Sequence, residues 1–220
     1  DCAPRGRGPR TRKGSLMTTR VRVPASSSNV GSGFDCVGIA IDRWLTASVT
    51  IETNGIGFSI RRRGKLSTVK VRADQDLFTR GFRAACSAGG GILPTGVAID
   101  ASSDIPVCCG LGSSAAAIVA GALLADGALG LGLSRDDVLE IGTTIEGHPD
   151  NIAPAIFGGA VLSVHTSTAW VASSLRVADS IELVIAVPPF PNDTKAARAV
   201  LPKTLPHTDA ALGASHAAAL

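Results

Sequence analysis

The chain has 220 residues, of which 45% are hydrophobic and 18% charged, with 25 Gly and a formal net charge of +3. That is enough chain to bury a core, and too apolar for a disordered class; no apolar run is long and uncharged enough to span a bilayer as a helix. Five of the 21 basic residues (Arg5, Arg7, Arg10, Arg12 and Lys13) share a head broken by Gly and Pro, so the remainder is near neutral and neither nucleic acid nor a membrane is expected as a partner.

Residues 1–19 are expected to be a disordered basic head. Met17 directly precedes the first strand-like alternation, so translation starting there would make residues 1–16 upstream sequence. Residues 20–23 (Arg-Val-Arg-Val) alternate as a strand, then Pro24 and the small polar stretch 25–29 read as a loop. Short strands are expected at 47–53, 57–61, 68–72 and 97–102, with a helix over 77–88. The Ala-rich run 114–124 predicts a buried helix. Ser134 with Asp137 three residues on predicts a capped helix running to about Glu146, where Gly147 and Pro149 stop it. Strands at 159–164 and 182–187 follow, the second apolar enough for a central strand, and then a short helix at 196–200. The five cysteines (Cys2, Cys36, Cys86, Cys108, Cys109) lack the paired spacing of a zinc site or a disulfide framework, which favours a reducing, cytoplasmic location.

The strongest local motif is Pro106-Val107-Cys108-Cys109-Gly110-Leu111-Gly112-Ser113-Ser114-Ala115-Ala116, a Gly-x-Gly-Ser-Ser turn opening into the Ala-rich helix. Glycines let backbone N–H groups approach a phosphate, and the first helical turn adds unpaired donors and a partial positive charge. It is not a Walker loop, because no Lys occurs between Lys70 and Lys195. By itself the motif fits a capped helix as well as a phosphate site.

The string 105–116 resembles the Pro-x-x-x-Gly-Leu-Gly-Ser-Ser-Ala signature of the GHMP kinases, which phosphorylate galactose, homoserine, mevalonate and phosphomevalonate. Three further blocks resemble homoserine kinases in particular: 23–35 (Val-Pro-Ala-Ser-Ser-Ser-Asn-Val-Gly-Ser-Gly-Phe-Asp), 146–155 (Glu-Gly-His-Pro-Asp-Asn-Ile-Ala-Pro-Ala) and 192–202 (Asn-Asp-Thr-Lys-Ala-Ala-Arg-Ala-Val-Leu-Pro). The four blocks stand in that family's order, and the resemblance covers about residues 20–220. It implies an α+β GHMP kinase fold, with an N-terminal half like the second domain of ribosomal protein S5 over 20–170. An incomplete ferredoxin-like half would begin at 171–220. The implied reaction is transfer of the ATP γ-phosphoryl group to the hydroxyl of L-homoserine, a step toward threonine.

The resemblance places ATP on Pro106, Gly110, Leu111, Gly112, Ser113, Ser114 and Ala115. It places Mg2+ on Ser114 with a glutamate; Glu140 is favoured by its eleven-residue spacing to Asn151 and its place inside a helix, with Glu146 as the rival. Asn151 stands where mevalonate-type relatives carry an aspartate, and an amide cannot accept a proton. The implied mechanism is therefore direct attack by the hydroxyl, driven by positioning and electrostatics. Thr194 is expected at the attacking hydroxyl and Arg198 at the substrate carboxylate, with Asp35 at the ammonium and Asn29 and His148 as neighbours. A homodimer is the family expectation. The third glycine-rich motif of the family and a second carboxylate-binding arginine do not occur before Leu220, so the chain reads as truncated. An exposed sheet edge and uncovered apolar surface are expected, and a non-catalytic nucleotide-binding module is the alternative reading.

Overall fold

The computed structural model describes residues 18–187 and 194–219. The basic head as far as Met17 lies outside the described residues. The fold is mixed α+β, built on a six-stranded sheet in the order β3-β4-β2-β5-β6, with β1 paired to β2 beside that path. β2 (Val37–Glu52) is its long axis. Alternation along β2 sends Leu45, Ala47 and Val49 into the core and leaves Thr46, Ser48 and Thr50 on the more open face. β1 (Thr19–Ser28), β4 (Gly96–Ser103) and β5 (Ala160–His165) pair with β2 antiparallel. β3 (Gly57–Gly64) runs parallel to β4, and β6 (Trp170–Leu175) antiparallel to β5.

Four helices cover the buried face: α1 (Leu77–Ala88), α2 (Ser113–Leu129), α3 (Arg135–Glu146) and α4 (Ile152–Phe157). Ten residues of α2 are buried, so this helix is the hub of the core. It meets α1 backbone to backbone. A Cβ on Gly121 would overlap the Phe78 carbonyl, and one on Gly81 the Ile118 carbonyl. Phe78, Phe82, Ile118, Leu124 and Leu139 then close the core against Leu45 and Ile99. No helix among the described residues is long and apolar enough to cross a membrane.

The helix expected over 77–88 has those bounds, and α3 starts on the expected capping box. Asp137 N–H donates to Ser134 Oγ (3.1 Å) and Ser134 N–H to Asp137 Oδ2 (2.8 Å). Hydrogen bonds from the Ser134 hydroxyl and backbone hold the Asp137 carboxyl below its ordinary range. A lowered folded value means that this stabilisation is present above the ordinary Asp pKa of about 4 and is lost as pH falls through the lowered value. Ser134→Ala should cost about 1 kcal/mol near neutral pH. Thermal melts at descending pH should show its difference from wild type shrinking in acid.

Three sequence expectations change. The stretch 25–28 is strand rather than loop: β1 continues past Pro24 through a register shift between Pro24 and Ala25. The proline is tolerated because, among the described residues, β2 is the one strand that pairs with β1, so the missing N–H can face away from the ladder. Residues 68–72 are not a strand; after Gly64, at φ 62°, the chain enters a 3-10 helix (Lys65–Thr68) that buries Leu66 and then runs irregularly. Residues 182–187 form no strand either. They find no ladder partner among the described residues, and Leu183 and Val184 are exposed; strand propensity without a neighbour to pair with is not realised. α4, β6 and a helix over His207–Ala218, here α6, were not expected. α5 (Thr194–Ala199) lies close to the predicted 196–200.

Candidate active site

Three segments converge at one end of the sheet: the end of β1, the loop before α2, and the turn between α3 and α4. Together with Arg198 of α5 they wall a cleft of about 1410 Å³, more than one small ligand requires.

The loop before α2 is built to meet an anion. Gly110 (φ 70°) and Gly112 (φ 63°) adopt left-handed backbone, and Gly112 is the N-cap of α2 with no side-chain cap on the first turn. The N–H groups of that turn are thus free for a ligand. Strand β1 holds the loop: Ser26 N–H donates to the Leu111 carbonyl (3.2 Å), and a Cβ on Gly112 would overlap Ser26 Oγ. Pro106 leads into this loop half-buried, Leu111 and Ala115 are buried, and Ser113 and Ser114 open the helix. Cys108, at φ 58°, and Cys109 complete the loop.

Ser114 Oγ donates to Glu146 Oε1. Glu140 is elsewhere. It is exposed, and its Oε2 accepts from Trp170 N–H (3.4 Å) at the start of β6. Six residues separate the two glutamates, which puts them about 120° apart around the helix and about 9 Å apart along it. Only the later one faces the loop, so the expected pairing of Ser114 with Glu140 is replaced by Ser114 with Glu146. The face of α3 that looks at the cleft carries Glu146, and the face toward β6 carries Glu140. Two oxygen donors side by side, next to free helix N–H groups, fit a hard cation such as Mg2+ that also binds phosphate.

The α3–α4 turn supplies Asn151, whose amide is locked. Ser26 Oγ donates to Asn151 Oδ1 (2.9 Å), and Asn151 Nδ2 donates to Ser28 Oγ (3.0 Å). Sequence reading missed these two serines. Period-two alternation after Pro24 places residues 26 and 28 on one strand face, a signal hidden by treating the stretch as loop. His148 lines the same cleft with Nδ1 on Asp150 Oδ1. That hydrogen bond raises the His148 pKa against an opposing effect of burial, with the charges of Asp150 and Glu146 adding to it. Burial, helped by the charges of Asp150 and Asp35, pushes the Cys36 thiol up.

At the far end Asp35 and Arg198 are joined by two hydrogen bonds, one of 2.9 Å. The Asp35 hydrogen bond raises the guanidinium pKa further. Asp35 and Asn29 both have left-handed backbone, and Asn29 Oδ1 accepts from Asp35 N–H (3.0 Å). The Phe34 ring lies 5.7 Å from the Arg198 guanidinium. Asp35 and Arg198, given separate roles by the sequence, are thus paired directly. Thr194 begins α5, but its side chain lies outside the described residues.

Residues 76–159 match the family model described as the GHMP kinases N terminal domain. The chain is 41% identical over 204 residues to a homoserine kinase of Streptomyces coelicolor, covering 91% of this chain and 65% of that protein. It is 36% identical over 189 residues to a homoserine kinase of Clostridium botulinum, covering 86% and 61% respectively. The crystal structure of homoserine kinase from Cytophaga hutchinsonii matches with a TM-score of 0.72 at 24% identity, over 94% of this chain and 67% of that one; it shows likeness of fold. The chain therefore spans 61 to 65% of the length of the two curated relatives.

Proposed function

From the premise that residues 76–159 form a GHMP kinase N-terminal domain, we propose that this chain is the ATP- and substrate-binding part of a homoserine kinase. The reaction would transfer the γ-phosphoryl group of ATP to the hydroxyl of L-homoserine, giving O-phospho-L-homoserine and ADP, on the route to threonine. One observation carries the reading. A single cleft has an anion-binding end, the α2 N-terminus with Ser114 and Glu146, and a charged end, Arg198 with Asp35 paired to it from behind the lining, with the locked Asn151 amide also on its wall.

With no Lys between Lys70 and Lys195, the nucleotide phosphates are met by loop N–H groups on Gly110 to Ala115, by the helix N-terminus, and by Ser113 and Ser114. Ser114 and Glu146 would hold Mg2+, which supplies charge neutralisation on the transferring phosphoryl group. Asn151 presents an amide fixed by Ser26 and Ser28, so it orients the attacking hydroxyl but takes no proton; that proton leaves to solvent or to a phosphate oxygen. Arg198 and Asp35 suit a zwitterion: the ligand carboxylate takes the guanidinium and its ammonium takes the carboxylate, exchanging one ion pair for two. Asn29 and His148 line the same end, and Thr194 remains assigned to the hydroxyl on resemblance.

The division into an S5-like unit over 20–170 and the start of a ferredoxin-like unit from 171 belongs to this proposal, as do a homodimer and a cytoplasmic location. A second reading, a nucleotide-binding module without turnover, needs only the anion-binding end of the cleft, the uncapped N-terminus of α2. ADP formation measured with L-homoserine, with mevalonate and without acceptor separates the readings. Formation stimulated by L-homoserine alone is expected. ATP binding with no stimulated turnover would favour the module, and stimulation by mevalonate would contradict the substrate assignment.

A further inference from the structure

Asp150 has no part in the chemistry described so far, yet its side chain is 1% exposed and lies beneath the substrate end of the cleft. Oδ1 accepts from His148 Nδ1 and, at 3.4 Å, from Asn151 Nδ2. Oδ2 is buried and has no partner among the described residues. The turn is pressed against β2, where a Cβ on Gly38 would overlap the Asp150 carbonyl oxygen. A buried carboxylate with an unanswered oxygen is costly. A neutral residue would fill this space at lower cost, so its charge and acceptor capacity call for a role.

We propose that Asp150 is a positioning residue of the homoserine site, acting through His148. Accepting at Nδ1 fixes the ring edge that faces inward, and leaves Nε2 as the ring nitrogen presented to the substrate. The same oxygen lies beside Asn151 Nδ2, so Asp150 and Ser28 together keep the amide oxygen turned to Ser26. With its side chain 1% exposed, Asp150 acts through these two neighbours. This inference rests on the homoserine kinase reading for the identity of the ligand, but its geometry does not.

The test joins a spectroscopic and a kinetic readout on the whole chain. The chain has four histidines, and His148→Gln identifies the His148 signals in long-range 1H–15N spectra of histidine-labelled protein. At a pH where the ring is neutral, wild type should show Nδ1–H with Nε2 bare, and Asp150→Ala should lose that preference. Should the alanine variant not fold, Asp150→Leu, similar in size and without an acceptor oxygen, supplies the comparison. In kinetics, His148→Gln and the Asp150 variant should each raise KM for L-homoserine about tenfold or more. The double variant should be no worse than the poorer single one, because both remove the same contact. A wild-type ring carrying its proton on Nε2, or costs that multiply in the double variant, would overturn the proposal. If wild type does not phosphorylate L-homoserine, the kinase reading fails by itself, and the ring tautomer alone then decides for or against Asp150.

Discussion

Glu146→Gln is expected to lower phosphoryl transfer by at least about 100-fold, the scale of losing one group that stabilises charge in the transition state. Glu140→Gln should stay within about twofold of wild type, as surface changes away from a site generally do. The difference is one of placement. Glu146 sits against Ser114 at the start of α2, beside the glycine loop, whereas Glu140 is exposed on α3 and accepts from Trp170 N–H. Because the amide at position 146 would keep the size and one oxygen but lose the charge, part of the loss should be recovered at high Mg2+. A magnesium titration of both variants checks this. Comparable losses at the two positions, or a loss at Glu140 alone, would return the metal to the earlier turn of α3.

Gly112→Ala should abolish measurable nucleotide binding and lower thermal stability. Two costs combine: a residue with a Cβ in left-handed backbone, about 1 to 2 kcal/mol, and a Cβ placed on Ser26 Oγ. The second cost reaches further. Ser26 can yield only by releasing Asn151 Oδ1, which lies 3.1 Å from the same Cβ position. Repeating the substitution in a Ser26→Ala background separates them, since that change removes the clash but leaves the backbone strain. Melting curves and titration with a non-hydrolysable ATP analogue should show Gly112→Ala costing less there than in wild type. Equal costs in both backgrounds would mean that strand β1 does not support the loop.

The glycine turn and the buried helix after it were legible in the sequence because their physics is local: Gly110 and Gly112 supply left-handed backbone, and the Ala-rich run that follows favours a buried helix. The capping box at Ser134 was legible for the same reason. What failed depended on partners far along the chain. The apolar run 182–187 has the composition of a central strand, but composition does not supply the neighbours that make one. Glu140 and Glu146 cannot be ranked by spacing until the face of α3 that meets α2 is known. Ser26, Ser28 and Asp150 went unnoticed because each matters through Asn151 or His148, and Ser26 and Asn151 are 125 positions apart. Asp35 and Arg198 were both singled out, and their contact across 163 positions could not be.

The proposed homoserine kinase activity requires this cleft to hold the hydroxyl of L-homoserine in line with the γ-phosphorus of ATP. The most direct test is 31P NMR of the purified chain incubated with ATP, Mg2+ and L-homoserine, with Glu146→Gln as the control. A phosphomonoester resonance matching O-phospho-L-homoserine, growing in step with ADP and strongly reduced in the control, is the expected result. Inorganic phosphate alone, or no change in ATP while an ATP analogue still binds, would contradict it.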